Sequence, residues 1–405
     1  MAGEIPDREL VWCPGNAYTA LAPAGPHRAR IRFALATERD DAAIRHLLRA
    51  NPMRGKVSLT FEREPDYFQG GGIADAEDRT IVAFDGEKLV CVGRATVRRL
   101  HLNGHPQRVG YLSELRLDHS ARGRAGIVRG GYQFFRSVRH STPPAIWYTS
   151  LAADNHRSIR FLEANLSGMP RYQFLSEFIT LLIAVPLRAR VAQRLAAWAT
   201  RLLEAVGLHC DFGDEQQLPE LAGVLNDRGR GFQFAAEWTA DRIRAVERHG
   251  LPLSEWLVAR RGTRAVAASA LWDQRSFRQT VIRGYDRVLS RVRPAISLLS
   301  AMTGFAGLPP VGSTLAHAFL SPLALETQCR DLLPCLVAMH FARARERGLE
   351  FLTLGLSAQD EQTRRLRRYF RCREYRSRLY RVSWPGDGDN LQLDRRPVLP
   401  EVALL

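Results

Sequence analysis

Apolar positions become periodic at residue 31. Ile31, Phe33 and Leu35 alternate as one face of a β-strand does. Thr37 then heads the run Glu38-Arg39-Asp40-Asp41-Ala42-Ala43-Ile44-Arg45-His46-Leu47-Leu48. Thr37 fits an N-cap, the acidic first turn suits a helix dipole, and Pro52 stops the helix. Three strands are predicted next: Thr80 to Phe84, Leu89 to Leu100 and Val109 to Leu117. The turn signals Asp85-Gly86 and Asn103-Gly104 make them an antiparallel meander. A Gly/Arg-rich stretch from Ser120 to Gly131 leads into the helical pattern of Tyr132 to Val138. Ala145 to Leu151 reads as a buried strand, Asn155 to Asn165 as a helix and Glu177 to Val185 as a strand.

Leu187, Val191, Leu195, Trp198, Leu202 and Val206 recur at three- or four-residue intervals, the stripe of one helix. Packing against a domain is the reading taken for it, over lying on a membrane. The same order of elements then returns. Strands are predicted at Leu208 to Phe212, Glu255 to Ala259, Arg264 to Trp272, Gln279 to Gly284, Leu315 to Leu320, Phe351 to Leu356 and Tyr375 to Val382. Helices are predicted at Glu215 to Asp227, Gln328 to Arg347 and Glu361 to Phe370. The chain therefore divides into a flexible arm (1–29), a first domain (30–186), a linker helix (187–207), a second domain (208–384) and a polar, Pro-rich tail (385–405). Each domain is α/β (α+β), a mixed, mostly antiparallel sheet flanked by helices.

The net charge of +16 changes this picture little. Of 58 basic residues only Lys56 and Lys88 are lysines, and the arginines are scattered rather than clustered. A nucleic-acid or membrane-surface partner is therefore disfavoured, and the arginines lack the interleaved aromatics of a single-strand platform. The six cysteines form no C-x-x-C pair and read as reduced thiols of a cytoplasmic protein. No metal is expected. No G-x-S-x-G, P-loop or H-E-x-x-H motif occurs, which disfavours a serine or cysteine hydrolase and leaves nucleotide and metal readings without support.

Candidate chemistry concentrates between residues 111 and 163. Tyr111 to Leu117 is a strand that feeds the loop Asp118-His119-Ser120-Ala121-Arg122-Gly123-Arg124-Ala125-Gly126-Ile127, which opens a helix. Backbone N–H groups in such a loop converge on one concavity, and the helix start adds positive potential suited to a pyrophosphate. Asn155-His156-Arg157-Ser158 opens the next helix, which continues through Phe161-Leu162-Glu163. With the strand-helix start and the two hairpins, Ile31 to about Val185 resembles the GNAT superfamily of acyl-CoA-dependent N-acyltransferases. The loop stands for the family's Arg/Gln-x-x-Gly-x-Gly/Ala motif and the later helix for its Asn-x-x-Ala-x-x-Leu-Tyr-Glu.

The resemblance implies transfer of an acyl group, acetyl above all, from acetyl-CoA or another acyl-CoA to a small-molecule or peptide amine. Leu115, Arg116 and Leu117 would bind the pantetheine arm, and a backbone N–H there would polarise the thioester carbonyl. Arg122, Gly123, Arg124, Ala125, Gly126 and Ile127 would hold the pyrophosphate, with Asn155 and Ser158 beside them. Glu114 is the expected catalytic base, set against a plain salt bridge. Ser113 alternates to the opposite face if the strand is regular. Two departures support an alternative, a catalytically inactive acyl-CoA-binding or interaction protein. Ile127 stands where the motif has Gly or Ala, unless Gly126 takes that place, and Leu162 stands where many members carry tyrosine. The second domain resembles a degenerate copy that does not bind coenzyme A. Its loop, Ser321 to Pro334, has no glycine.

Overall fold

Twelve strands join into one sheet that runs through both halves of the chain. The computed structural model describes residues 31–53, 55–138, 142–384, 386 and 391–405. The arm expected over residues 1–29, with Cys13, lies outside the described residues.

The first half contributes β1 (Ile31–Leu35), α1 (Asp41–Ala50), β2 (Val57–Glu62), β3 (Glu77–Asp85), β4 (Lys88–Leu102), β5 (His105–Leu117), α2 (Ala125–Ser137), β6 (Ile146–Ala152), α3 (His156–Glu163) and β7 (Arg171–Ala184). A connecting helix, α4 (Ala189–Ala205), follows. The second half contributes β8 (His209–Phe212), α5 (Leu218–Gly229), α6 (Ala240–Ala245), β9 (Trp256–Arg261), β10 (Arg264–Trp272), β11 (Gln279–Tyr285), α7 (Arg287–Thr303), β12 (His317–Leu325), α8 (Leu333–Glu346), β13 (Phe351–Ser357), α9 (Gln362–Tyr369) and β14 (Cys372–Ser383).

Local chemistry explains much of this. Thr37 and Asp40 form a reciprocal capping box that launches one 3-10 turn into α1. Asn103 and Gly104 carry the positive φ values that a tight hairpin needs. Helix α7 was not legible, because Pro294 sits inside it, where proline removes a backbone donor.

The strand order is β1-β3-β4-β5-β6-β14-β7-β13-β12-β10-β9-β8. All neighbours are antiparallel except β5/β6 and β12/β13. The last strand of each half is exchanged: β14 lies between β6 and β7, and β7 pairs with β13. Strands β2 and β11 pair across the halves in a separate ribbon. The main core also crosses the halves, joining Tyr111, Tyr148 and Phe178 to Trp238, Trp256 and Trp272.

Two expectations need correction. Helix α4 packs on α8, but through Ala192, Ala199 and Leu203. Val191, Trp198, Leu202 and Val206 of the expected stripe are exposed. The small alanines permit a closer helix approach than the larger residues on the other face. The segment after Trp384 is not a polar tail at its far end. Val398, Val402, Ala403 and Leu404 are buried in the main core. No helix among the described residues is long and apolar enough to cross a membrane.

Candidate functional site

The site begins where two parallel strands part. Strands β5 and β6 are in register from Val109/Ile146 to Leu112/Thr149 and pair no further. The Thr149 hydroxyl donates to the Leu112 carbonyl at 2.6 Å, so the last paired carbonyl is satisfied there. On the other side of β5 the register with β4 slips between Val92/Arg116 and Arg94/Ser113, which leaves one extra residue in β5. Glu114 takes this bulge with φ +55°, a left-handed conformation that is costly for a residue with a Cβ. The bulge breaks strand alternation. Ser113 and Glu114 therefore both line the same cleft, unlike the opposite faces a regular strand would have shown them.

The cleft encloses about 950 Å³ including its open mouth. Glu114, Leu115, Arg116, Asn155 and Ser158, all singled out from sequence, line it. Asn155 caps α3, its side chain accepting from the Ser158 N–H at 3.2 Å. Arg116 donates to the Met53 thioether sulfur, Sδ, at 3.6 Å and to the Leu115 carbonyl at 3.0 Å.

The loop expected to hold phosphate follows Leu117, the last residue of β5. Asp118 accepts from the Ser120 N–H at 2.9 Å and from Lys88 at 2.8 Å, which shapes the turn. Gly123 has φ +86°, and α2 starts at Ala125. A Cβ added at Gly123 or Gly126 would meet nothing within 4 Å, so both glycines border open space in front of the helix start. Ile127 does not narrow that space. Its side chain is 2% exposed and packs in the core with Phe33 and Phe134. Arg122 reaches Asn51 at 3.3 Å, and Arg124 pairs with Asp85 at 2.6 Å. Both arginines are at the surface, where such pairs contribute little stability and can exchange partners.

Glu114 is heavily engaged. Arg63 donates to it from Nε at 2.7 Å and also from Nη2, Tyr67 donates at 2.8 Å, and Arg94 stands 4.0 Å away. Burial opposes its charge, but the two guanidiniums and these hydrogen bonds outweigh it and hold its carboxyl down to about 2. Arg94 also forks onto Asp78 at 2.9 and 3.1 Å.

Sequence reasoning missed Arg63, Tyr67, Arg94, Tyr132 and Tyr172. Arg94 carried a signal, a charged residue amid the apolar run of β4. Tyr132 and Tyr172 line the cleft beside Leu162, and their hydroxyls bond to one another. Burial pushes the Tyr132 phenol up to about 12, so it stays neutral.

The second half has a matching divergence. β12 and β13 pair only from His317/Phe351 to Phe319/Thr353. Here the chain's own residues 401–404 enter the gap, beside a cavity of about 780 Å³ including its mouth that Leu320, Leu354 and Leu356 help line. Val402 to Leu404 form a 3-10 turn against β12, and Ser321 donates to Glu401 at 2.5 Å. Gly355 permits this: a Cβ there would fall 2.8 Å from Cβ of Val402 and 2.5 Å from the Phe178 ring. Among the described residues no group of three or more His, Cys, Asp or Glu is placed to hold a metal ion.

No protein-family model and no curated protein matches the chain. Solved structures do. A GCN5-related N-acetyltransferase from Sphaerobacter thermophilus aligns with a TM-score of 0.51 at 11% identity, over 89% of this chain and 98% of that one. Saccharomyces cerevisiae N-myristoyltransferase with bound myristoyl-CoA aligns with a TM-score of 0.53 at 10% identity, over 98% of this chain and 90% of that one. A GCN5-related glucosamine N-acetyltransferase region of a fungal multi-domain β-N-acetylglucosaminidase aligns with a TM-score of 0.51 at 12% identity, over 89% of this chain and 38% of that one. With its parted parallel strands occurring twice, the chain has the GCN5-related N-acetyltransferase (GNAT) fold in tandem.

Proposed function

We propose that the protein is an N-acyltransferase that moves an acyl group from acyl-CoA to an amine of a small molecule or peptide. One observation carries this: beyond the β5/β6 divergence, which opens as a cleft, β5 runs into a glycine loop with open space before a helix start, whereas residues 401–404 of the chain itself enter the β12/β13 divergence. Acyl-CoA supplies the activated thioester. Arg122, Gly123, Arg124 and the first turn of α2 at Ala125 and Gly126 would hold its phosphates. Leu115, Arg116, Leu117, Asn155 and Ser158 would border its pantetheine arm. Ile127 contributes backbone alone.

Acetyl-CoA at millimolar concentration is expected to raise the melting temperature. Arg122→Ala with Arg124→Ala is expected to weaken binding roughly 10- to 100-fold, from the loss of charge-assisted hydrogen bonds of about 1.5–3 kcal/mol. No thermal shift with acetyl-CoA, or full affinity in the double variant, would overturn the reading.

Glu114 is assigned a positioning role within this reading. A carboxyl held at about 2 is ionised at every working pH and is a weak proton acceptor, but it can fix Arg63 and Tyr67 at the cleft. Glu114→Gln is expected to lower kcat less than tenfold and to leave the acid limb of the pH–rate profile in place. A fall of about 10²–10⁴-fold together with loss of that limb would identify Glu114 as the base.

A further inference from the structure

We infer that the acyl group this protein carries is a fatty chain of medium length rather than acetyl, an inference that rests on the acyl-CoA reading above. The cleft does not stop at the bulge. It continues beneath α2 as a gallery across the sheet. Its floor is Ala95 and Gly93 of β4, then Ile81 and Ala83 of β3, and Phe33 of β1 lines it farthest from β5. Its roof is Val128, Gly131 and Phe135 of α2.

Residues at the centre of a helix-covered sheet should be dry. Ile81 and Gly93 sit mid-strand on strands flanked on both sides and covered by α2, yet neither is fully buried, because the gallery runs past them. Small residues keep it open. A Cβ on Gly131 would have only the edge of Phe33 near it, at 3.9 Å, and one on Gly93 only Leu115, at 3.8 Å.

The gallery's chemistry restricts its occupant. The charged residues of the cleft, Arg94, Glu114 and Arg116, all stand at or beside the bulge on β4 and β5. The phenols of Tyr132 and Tyr172 at its side satisfy one another. Water therefore finds few partners inside, and a slender apolar chain fits better. Because the gallery opens at the bulge, that chain must be continuous with a group seated between β5 and β6. A fatty acyl thioester has this form, and an acetyl group would leave the space empty. From β5 to β1 is three strand spacings, roughly 14 Å. A zig-zag chain with bonds of about 1.5 Å covers that with roughly eight to twelve carbons.

Calorimetric titration of the full chain with CoA, acetyl-CoA and decanoyl-CoA tests this. Each methylene taken from water is worth up to about fourfold in affinity. Decanoyl-CoA is expected to bind at least 30-fold more tightly than acetyl-CoA. Gly131→Leu, which fills the gallery while favouring the helix, is expected to cut that ratio below threefold. Equal affinities for the two thioesters, with CoA itself bound, would overturn the chain-length inference alone. A ratio kept in Gly131→Leu would place the chain elsewhere and overturn it too. Failure to bind any of the three would instead remove the acyl-CoA reading.

Discussion

Arg94→Ala is expected to destabilise the protein by about 3–5 kcal/mol, the cost of removing one partner from a buried charge pair. The Arg94 side chain is 6% exposed and serves two carboxylates, Asp78 by a two-point fork and Glu114 at 4.0 Å. Asp78 keeps hydrogen bonds from Thr96 at 2.5 Å and from the Gly72 N–H at 3.0 Å, and Glu114 keeps Arg63 and Tyr67. Those donors do not replace a full positive charge. The pH dependence has a fixed sign. Both carboxyls are held below their ordinary values, so their contribution is present above about pH 4.5 and fades as pH falls towards 2. In Arg94→Ala both carboxyls rise, and the acid transition should begin at higher pH. Urea unfolding at pH 7 and pH 4 measures both effects. The double variant Arg94→Met with Asp78→Asn should lose less than Arg94→Ala, because it leaves one buried carboxylate paired and removes the other charge. An Arg94→Ala loss under 1 kcal/mol would show that Arg63 alone balances the cluster.

The second large effect is a loss of stability on raising pH, governed by Glu401. This carboxyl lies where residues 401–404 enter the β12/β13 divergence, and Ser321 donates its one side-chain hydrogen bond. Arg228, Arg330 and Asp360 line the adjoining cavity, but Arg330 is engaged with Asp360 at 2.6 Å. Burial therefore dominates and pushes Glu401 up from 4.5 to about 7. A carboxyl raised in the folded state stabilises it fully below the unfolded value. That stabilisation is lost as pH rises through the folded value. Between pH 5.5 and 8 the loss from this group should be about 2 kcal/mol. Glu401→Gln keeps a neutral side chain of the same shape and should flatten the dependence over that range. Parallel unfolding curves for the two proteins at both pH values would refute the assignment. The same group explains how the filler segment is seated: protonated, it can lie between β12 and the core without carrying charge inside.

Several features were legible from residues close together in the chain. The capping box at Thr37 and Asp40, the Asn103-Gly104 hairpin, the Asn155 cap and the helix start after Gly123 all depend on contacts within a few positions. Repetition of the element order foretold two copies of one fold. Ion-pair partners were less accessible. Glu114 could be nominated from its place before the loop, yet Arg63 and Tyr67 lie about fifty residues upstream and meet it at the β5 bulge only in the folded chain. The alternation rule misplaced Ser113 for the same reason.

By itself the amino-acid sequence determined which stretches become strands and helices, where glycines open a loop at a helix start, and that two similar units follow one another. Those outcomes come from backbone propensities, caps and periodic burial, which act over one or two turns. The tertiary structure alone decided that β7 and β14 change places, that Glu114 is held by guanidiniums, and that residues 401–404 enter one divergence and not the other. Each of these depends on register and burial between groups tens to hundreds of residues apart. No local pattern encodes such distances, because they emerge only when the sheet closes and its faces are covered.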